Sequence, residues 1–236
     1  MEPGVSIIVP VYNEAESVRE LVAHLGAVAP EAQVIIVDAS TDAASQAVIA
    51  DLQSRCPAHG RTLIVQAPRP GRAVQMNCGA ARAGGGMLLF LHCDTRLRPG
   101  SVAQARAALD RGFVWGRFDV ALDAGGAIYR VIETMINLRS RLRRLATGDQ
   151  GIFVTAAAFK AAGGFPAIEL MEDIEFSRRM AACGRPAVIA EPITTSARRW
   201  RNRGPCSTIL LMWRLRLLHW LGVSPRRLSR MYGDER

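Results

Sequence analysis

Paired cysteines, lysine and long apolar runs are all scarce in this sequence. Its five cysteines (Cys56, Cys78, Cys93, Cys183 and Cys206) are odd in number and widely spaced, with no CxxC pair. That excludes a zinc knuckle and a disulfide framework, and reads as free thiols in a reducing cytosol. No run of about 18 charge-free apolar residues occurs, so a membrane-spanning helix is not expected. The stretch from Val5 to Val11 is short, lacks basic flanks and contains Pro10, so it does not read as a secretory signal, and a cytoplasmic location is expected. Lysine is reduced to Lys160 against 29 arginines, a bias that genomic GC content explains without any function. Internal repeats, low-complexity tracts and an evident linker are also lacking, so one continuous domain is expected.

What remains is an ordinary globular composition with an uneven charge. The 236 residues are 49% hydrophobic and 22% charged, enough to bury a proper core, and carry a formal charge of +9. Arginines cluster at 139–144, at 198–203 and at Arg226, Arg227 and Arg230. Such a balance favours phosphate-rich substrates, anionic membrane or nucleic acid. Aromatic-studded basic strands and a recognition helix are missing, which argues against nucleic acid.

Periodicity predicts the fold class. Compact β-branched runs at 5–9, 33–37, 62–66 and 87–91 alternate with helical periods at 16–27, 44–52, 74–83 and 100–110. Apolar strands alternating with helices imply an α/β fold, with a mostly parallel sheet covered by helices on both faces. The second half is less regular: strand over 113–122, a basic amphipathic helix over 127–144, a loop into a strand over 148–154, and helices over 156–162, 172–183 and 207–221. The expected organisation is a nucleotide half (1–110), an acceptor and catalytic half (111–206) and a C-terminal apolar basic helix (207–236).

Three acidic clusters stand out in a basic chain: Asp38 to Asp42, Asp94, and Glu172-Asp173 with Glu175. The first two end apolar strands. A lone buried carboxylate costs several kcal/mol or titrates away, so these acids call for a metal, a nucleotide or a reacting hydroxyl as partner. In an open α/β sheet, ligands bind beyond the carboxyl ends of the strands, where Pro10 to Glu14, Asp38 and His92 to Asp94 fall.

Four segments in order resemble the family-2 glycosyltransferases of GT-A fold, Rossmann-like, over roughly residues 5–200. They are Val5-Ser6-Ile7-Ile8-Val9-Pro10-Val11-Tyr12-Asn13-Glu14, Val37-Asp38-Ala39-Ser40-Thr41-Asp42, His92-Cys93-Asp94 at the DxD position, and Glu172-Asp173 at the catalytic ED position. Residues 71–77, 115–119, 148–154 and 196–200 further resemble a small bacterial branch labelled arsenosugar-biosynthesis-like, or associated with radical-SAM and selenium-domain genes. The resemblance implies a nucleotide-sugar donor, most simply a UDP-sugar. Pro10, Asn13 and Glu14 would then wrap the nucleoside, and Asp38 would accept from the base. Arg72, Gln75 and Asn77 would lie along the nucleotide. Cys93 and Asp94 would close the donor site, with the Cys93 side chain itself turned toward the core. Asp94 would ligate Mn²⁺ or Mg²⁺. His92 replaces the family's first aspartate and either joins Asp94 on the metal, contacts ribose or packs. Asp173 would be the general base of an inverting transfer, with Glu172 beside it; adjacent carboxylates repel, which raises one pKa. Trp115, Arg117, Asp149, Gln150, Arg199 and Trp200 would shape the acceptor site. Ser196 occupies the glutamine position of the processive QxxRW segment, which argues against a chain-building synthase.

Simpler roles accompany several of these: Asn13 as a helix cap, Asp42 as a structural residue, and the Glu172-Asp173 pair as favourable charges at a helix start. Residues 208–223, with Trp213 and Trp220 among leucines and arginines, fit a helix closing the core, a homodimer interface or an interfacial membrane helix. The expected activity is transfer of one sugar to a small-molecule acceptor. Transfer to a polyprenyl-phosphate or other lipid acceptor, and non-catalytic binding of a nucleotide-sugar, remain as alternatives.

Overall fold

The computed structural model describes residues 4–55 and 61–233; Cys56 lies outside them. Eight strands are found among these residues: β1 (Val5–Val11), β2 (Gln33–Asp38), β3 (Thr62–Gln66), β4 (Met87–Phe90), β5 (Thr95–Arg96), β6 (Trp115–Leu122), β7 (Ile152–Thr155) and β8 (Ala187–Thr195). They form one sheet in the order β3-β2-β1-β4-β7-β6-β8-β5. The pairs β3/β2, β2/β1, β1/β4 and β6/β8 are parallel, and β4/β7, β7/β6 and β8/β5 are antiparallel. The sheet runs unbroken through both halves, so the chain is a single α/β domain.

The helices are α1 (Ala15–Val28), α2 (Ala43–Arg55), α3 (Arg72–Ala80), α4 (Ser101–Asp110), α5 (Ala127–Arg143), α6 (Ala156–Ala161), α7 (Glu172–Cys183), α8 (Arg198–Arg203), α9 (Pro205–Trp220) and α10 (Pro225–Tyr232). Strand alternation divides their partners. Ile7, Val9, Val34 and Ile36 point to one face, under α1, α2 and α4 through Val18, Leu21, Leu25, Ile49, Leu52 and Ala105. Ile8, Ile35 and Val37 point to the other, under α3, α6 and α7 through Ala73, Met76, Phe159, Phe176 and Met180. A side chain at Gly79 would come within 2.5 Å of Ile8 Cγ2, so only glycine lets α3 lie this close to the sheet.

Several expectations need adjusting. The first strand does not stop at Pro10 but continues to Val11. Pairing with β4 ends at Ile8 opposite Phe90, so Pro10 sits where β1 has lost that neighbour and its missing N–H is harmless. The sequence reading passed over β5, β8, α8 and α10. Five of the six residues of α8 are arginine or tryptophan-flanking arginine and asparagine, with no apolar stripe to reveal it. The helix over 207–221 begins at Pro205, after Gly204 in a left-handed conformation (φ 78°), and is not the last.

Candidate functional site

The site lies beyond the carboxyl ends of β1, β2 and β4. Asp38 closes β2, is 2% exposed, and its Oδ1 accepts the Ser40 N–H (3.0 Å). Asn13 occupies the left-handed region (φ 55°), and its Oδ1 accepts the N–H groups of Thr41 (2.9 Å) and Asp42 (3.3 Å). Its own N–H donates to Ser40 Oγ (2.9 Å). Asn13 therefore does not cap α1, where Glu14 takes the N-cap position without a side-chain bond; it ties the loop after β1 to the loop after β2. Asp42 Oδ1 accepts the Ser45 N–H (2.8 Å), in keeping with a structural role at the start of α2.

A polar hollow of about 400 Å³ opens beside these loops, lined by Pro10, Glu14, Arg72, His92, Cys93, Asp94, Arg198 and Arg199. The Cys93 thiol donates to Glu14 Oε2 (2.6 Å), and the Cys93 side chain belongs to the core beneath. Burial, with the Glu14 charge, pushes that thiol well above its ordinary pKa, so it stays protonated. Asp94 is pushed up by burial and then by Glu14, and pulled down by Arg72 and Arg198. Two carboxylates that repel one another in a partly dry pocket suit a cation between or beside them. Among the described residues no group of three His, Cys, Asp or Glu side chains could hold a metal alone. The donors fit an ion held by one carboxylate, with water and phosphate oxygens completing its shell.

A second, apolar hollow of about 250 Å³ adjoins the first, with His92 in the wall of both. Met76, Phe90, Ile152 and Phe165 line it, together with Gly148, Glu172 and Asp173. Asp173 opens α7 behind Met171, which is left-handed (φ 70°), a strained setting for a residue with a side chain. Its Oδ2 accepts the Gly148 N–H (2.9 Å) and its Oδ1 the Ile174 N–H (2.8 Å). A side chain at Gly148 would come within 2.3 Å of His92 Nε2, so glycine is required there to pass the imidazole. The Asp173 carboxyl sits above its ordinary pKa because of burial, which outweighs these two hydrogen bonds and the Arg72 charge; Asp149 adds to the rise. The adjacent-carboxylate reasoning thus reached the right direction by another cause, since Glu172 is not among the contributors. Glu172 is 4% exposed and acts most strongly on Arg72, followed by Tyr232, Asp173 and Asp94 in that order. Burial lowers the Arg72 pKa, and these neighbours more than restore it. Arg72 thus lies within electrostatic reach of both Asp94 and Asp173, without a direct ion pair to either.

The remaining sequence candidates divide. Gln75 is buried, and its Nε2 donates to the carbonyls of Val11 (2.7 Å) and Val37 (2.9 Å). Asn77 exchanges two bonds with the Phe165 backbone, Nδ2 to the carbonyl (2.8 Å) and the N–H to Oδ1 (2.9 Å). Both amides are committed to the fold. Trp115 is fully buried and donates to the Gly184 carbonyl (3.0 Å). Arg117 is fully buried and paired with Asp119 (2.9 Å), and Trp200 packs against Leu122 and Ile132. None of these three lines either hollow. Arg199 does, stacked over Tyr232 at 4.8 Å. Asp149 Oδ1 and Gln150 Nε2 are buried without a hydrogen-bond partner among the described residues, at the turn beside Gly148. Sequence reasoning missed Met76, Phe90, Phe165 and Gly148, which carry no signal separating them from core or turn.

The family profile described as Glycosyl transferase family 2 matches residues 6–162. No curated protein matches the chain. Among solved structures, a mannosyltransferase from Pyrobaculum calidifontis in complex with GDP-Man and Mn2+ is similar with a TM-score of 0.67 and 19% identity, covering 92% of this chain and 61% of that one. S. aureus TarS 1–349 is similar with a TM-score of 0.65 and 19% identity, covering 84% and 61%. The same protein in complex with UDP-GlcNAc gives 0.62 and 20%, covering 83% and 58%. The chain spans about three fifths of the length of these structures, and at such identities the likeness is one of fold.

Proposed function

The chain belongs to glycosyltransferase family 2, and from that premise we propose that it is an inverting, divalent-metal-dependent transferase moving a single sugar from a nucleotide-sugar, a UDP-sugar in the first instance, to a small-molecule or lipid-borne acceptor. The observation that carries this reading is that Asp94 and Asp173 lie in adjoining polar and apolar hollows that share His92 as a wall, both within electrostatic reach of Arg72. Similar folds accommodate GDP-Man with Mn2+ and UDP-GlcNAc, which fits this division.

In this reading residues 4–110 supply most of the donor site. The nucleoside lies over the loops joined by Asn13, with Asp38 at the base. Asp38 Oδ2 takes no hydrogen bond among the described residues, which leaves an acceptor for a base N–H. The diphosphate lies in the polar hollow, facing Arg72, Arg198 and Arg199, whose guanidinium forks match phosphate oxygens. Asp94 would hold Mn²⁺ or Mg²⁺, with Glu14 close by, and the bound ion would neutralise charge on the departing diphosphate. Asp173, kept basic by its dry pocket, accepts the proton of the acceptor hydroxyl as that oxygen bonds to the anomeric carbon and the bond to the diphosphate breaks on the opposite face. Its two backbone hydrogen bonds fix the carboxylate for this. Asp149 and Gln150, whose Oδ1 and Nε2 are buried in the turn beside Gly148 and line neither hollow, would shape the acceptor side from behind that glycine.

The test is donor turnover. UDP- and GDP-sugars are incubated with the protein and Mn²⁺ or Mg²⁺, and nucleoside diphosphate release is measured with and without EDTA. Metal-dependent release from one donor, lost in chelator, is expected. Undiminished release in EDTA would remove the metal role, and no release from any donor with a panel of acceptors would favour binding without catalysis.

A further inference from the structure

Eleven large hydrophobic side chains are exposed among the described residues, and ten of them belong to two segments. On α5 these are Ile128, Val131, Met135, Leu138 and Leu142, spaced three and four apart. On α9 they are Leu210, Trp213, Leu217 and Trp220, with Leu221 just beyond. Each set is a continuous stripe along one helix face. Neither is spare core, because each helix already buries another face. Ile132 and Ile136 of α5 and Ile209 of α9 join Leu122 and Trp200 in one cluster, and Leu215 of α9 joins Met171, Ile174 and Leu145 in another. The first cluster brings the two helices together through Ile132, Ile136 and Ile209, and the second seats α9 against the start of α7. Leu142 is 75% exposed, Trp220 73% and Trp213 61%, more than a protein leaves in water without a use.

The surrounding charge is mostly of one sign. The helices α5, α8, α9 and α10 carry thirteen arginines. Arg130, Arg141 and Arg201 pair with Glu133, Asp119 and Asp123, and Arg198 and Arg199 line the polar hollow, which leaves Arg139, Arg143, Arg214, Arg216, Arg226, Arg227 and Arg230 without an ion pair among the described residues. Arg139 of α5 and Arg216 of α9 take no hydrogen bond or ion pair within reach among the described residues. Both guanidiniums are weakened first by burial, and Arg216, pulled down to about 10, is further repelled by Arg139. Asp149 and Asp173 are the acids that hold these two arginines in place electrostatically. A second copy of this chain would bring like charge against like charge across such a face. An anionic bilayer would not: apolar stripes enter the headgroup region while arginines meet lipid phosphates.

We propose that the outer faces of α5 and α9 together form a docking surface for a membrane rich in anionic lipid, which sets the mouth of the cleft near Asp149 and Asp173 against the headgroups. The surface is independent of the donor chemistry and is tested without it. The full chain is mixed with vesicles of phosphatidylcholine alone or with about a third phosphatidylglycerol, and binding is read by flotation and by the blue shift of tryptophan emission; light scattering reports oligomeric state. Binding to the anionic vesicles only is expected, weakened by raised salt. Two double variants, V131S/L138S on α5 and W213S/L217S on α9, are each expected to lower partitioning at least tenfold while circular dichroism stays unchanged. No flotation of the folded wild type overturns the proposal. So does loss confined to the α9 variant, which would leave α5 without a part, or a stable dimer that the variants dissociate.

Discussion

The two hollows of the cleft are built in opposite ways. The polar one is walled by charged side chains from the loops after β1 and β4 and from α8, and it suits a charged, leaving diphosphate. The apolar one is walled by Met76, Phe90, Ile152 and Phe165, with the Glu172 and Asp173 carboxylates at its edge. Asp94 and Asp173 are the same functional group, both raised in pKa chiefly by burial, yet their neighbours differ. Glu14, Arg72 and Arg198 act on Asp94, whereas two backbone N–H groups hold Asp173. On the proposed reading Asp94 would share a cation and Asp173 would take up a proton.

Substitutions that spare shape sharpen this contrast. The largest effect belongs to Asp173→Asn, which is expected to lower kcat by roughly 10³-fold while donor affinity, read by calorimetry, moves less than about threefold. The wild-type rate should climb as pH rises through the elevated Asp173 pKa, since only the ionised form takes a proton. That acid limb should vanish from the variant's residual activity, and its persistence would assign the base elsewhere.

Asp94→Asn should cut donor kcat/KM by roughly 10²-fold and yet raise Tm at pH 8 by roughly 2–4 °C. The sign follows from linkage. A carboxyl whose folded pKa is raised contributes its full stability below its unfolded pKa and loses it as pH rises through the folded value. The asparagine variant escapes that loss, so its advantage should shrink toward pH 4, about the ordinary carboxylate value. Thermal unfolding across pH checks this, and a lower Tm at pH 8 would show the carboxylate already balanced. Manganese with a nucleoside diphosphate should stabilise the wild type and leave the variant's Tm nearly unmoved.

Smaller effects separate the site from its supports. Gln75→Ala removes the donor to the Val11 and Val37 carbonyls and Asn77→Ala unpairs the Phe165 N–H and carbonyl, each at a cost of about 1–3 kcal/mol in denaturant unfolding. Donor KM should change less than about twofold in the folded fraction. A tenfold rise in KM would restore these residues to the nucleotide. The mildest change is Phe165→Leu, expected to raise the acceptor KM a few-fold with donor KM unchanged.

The polar hollow was far more legible in the sequence than the apolar one. Carboxylates at the ends of apolar strands are physically anomalous, so Asp38 and Asp94 announce themselves, whereas Asp173, in the first turn of α7, was legible through its resemblance to the family's ED pair. Met76, Phe90 and Phe165 were not, because a residue lining a cleft and one filling a core have the same local pattern. Arg117 and Trp115 were read as acceptor contacts because their segment, 115–119, resembles a branch of the family. The β6 strand turns both inward, where Asp119 and the Gly184 carbonyl satisfy them. The parallel strands β1 to β4 were legible from continuous apolar runs, since both faces are covered. β8 was not, because its alternating exposure includes Glu191 and Pro192 and leaves no apolar run.

The reversal of strand direction between β4 and β7 has a consequence for how such a protein diversifies. One wall of the cleft is the exit of β4, and the other is the approach to β7, so the donor and acceptor rims come from loops about fifty residues apart in the chain. Insertions or exchanges between α5 and β7 can remodel what enters from the acceptor rim while the His92 to Asp94 turn stays untouched. New acceptors can thus be tried by evolution, or by an engineer, without renegotiating the nucleotide.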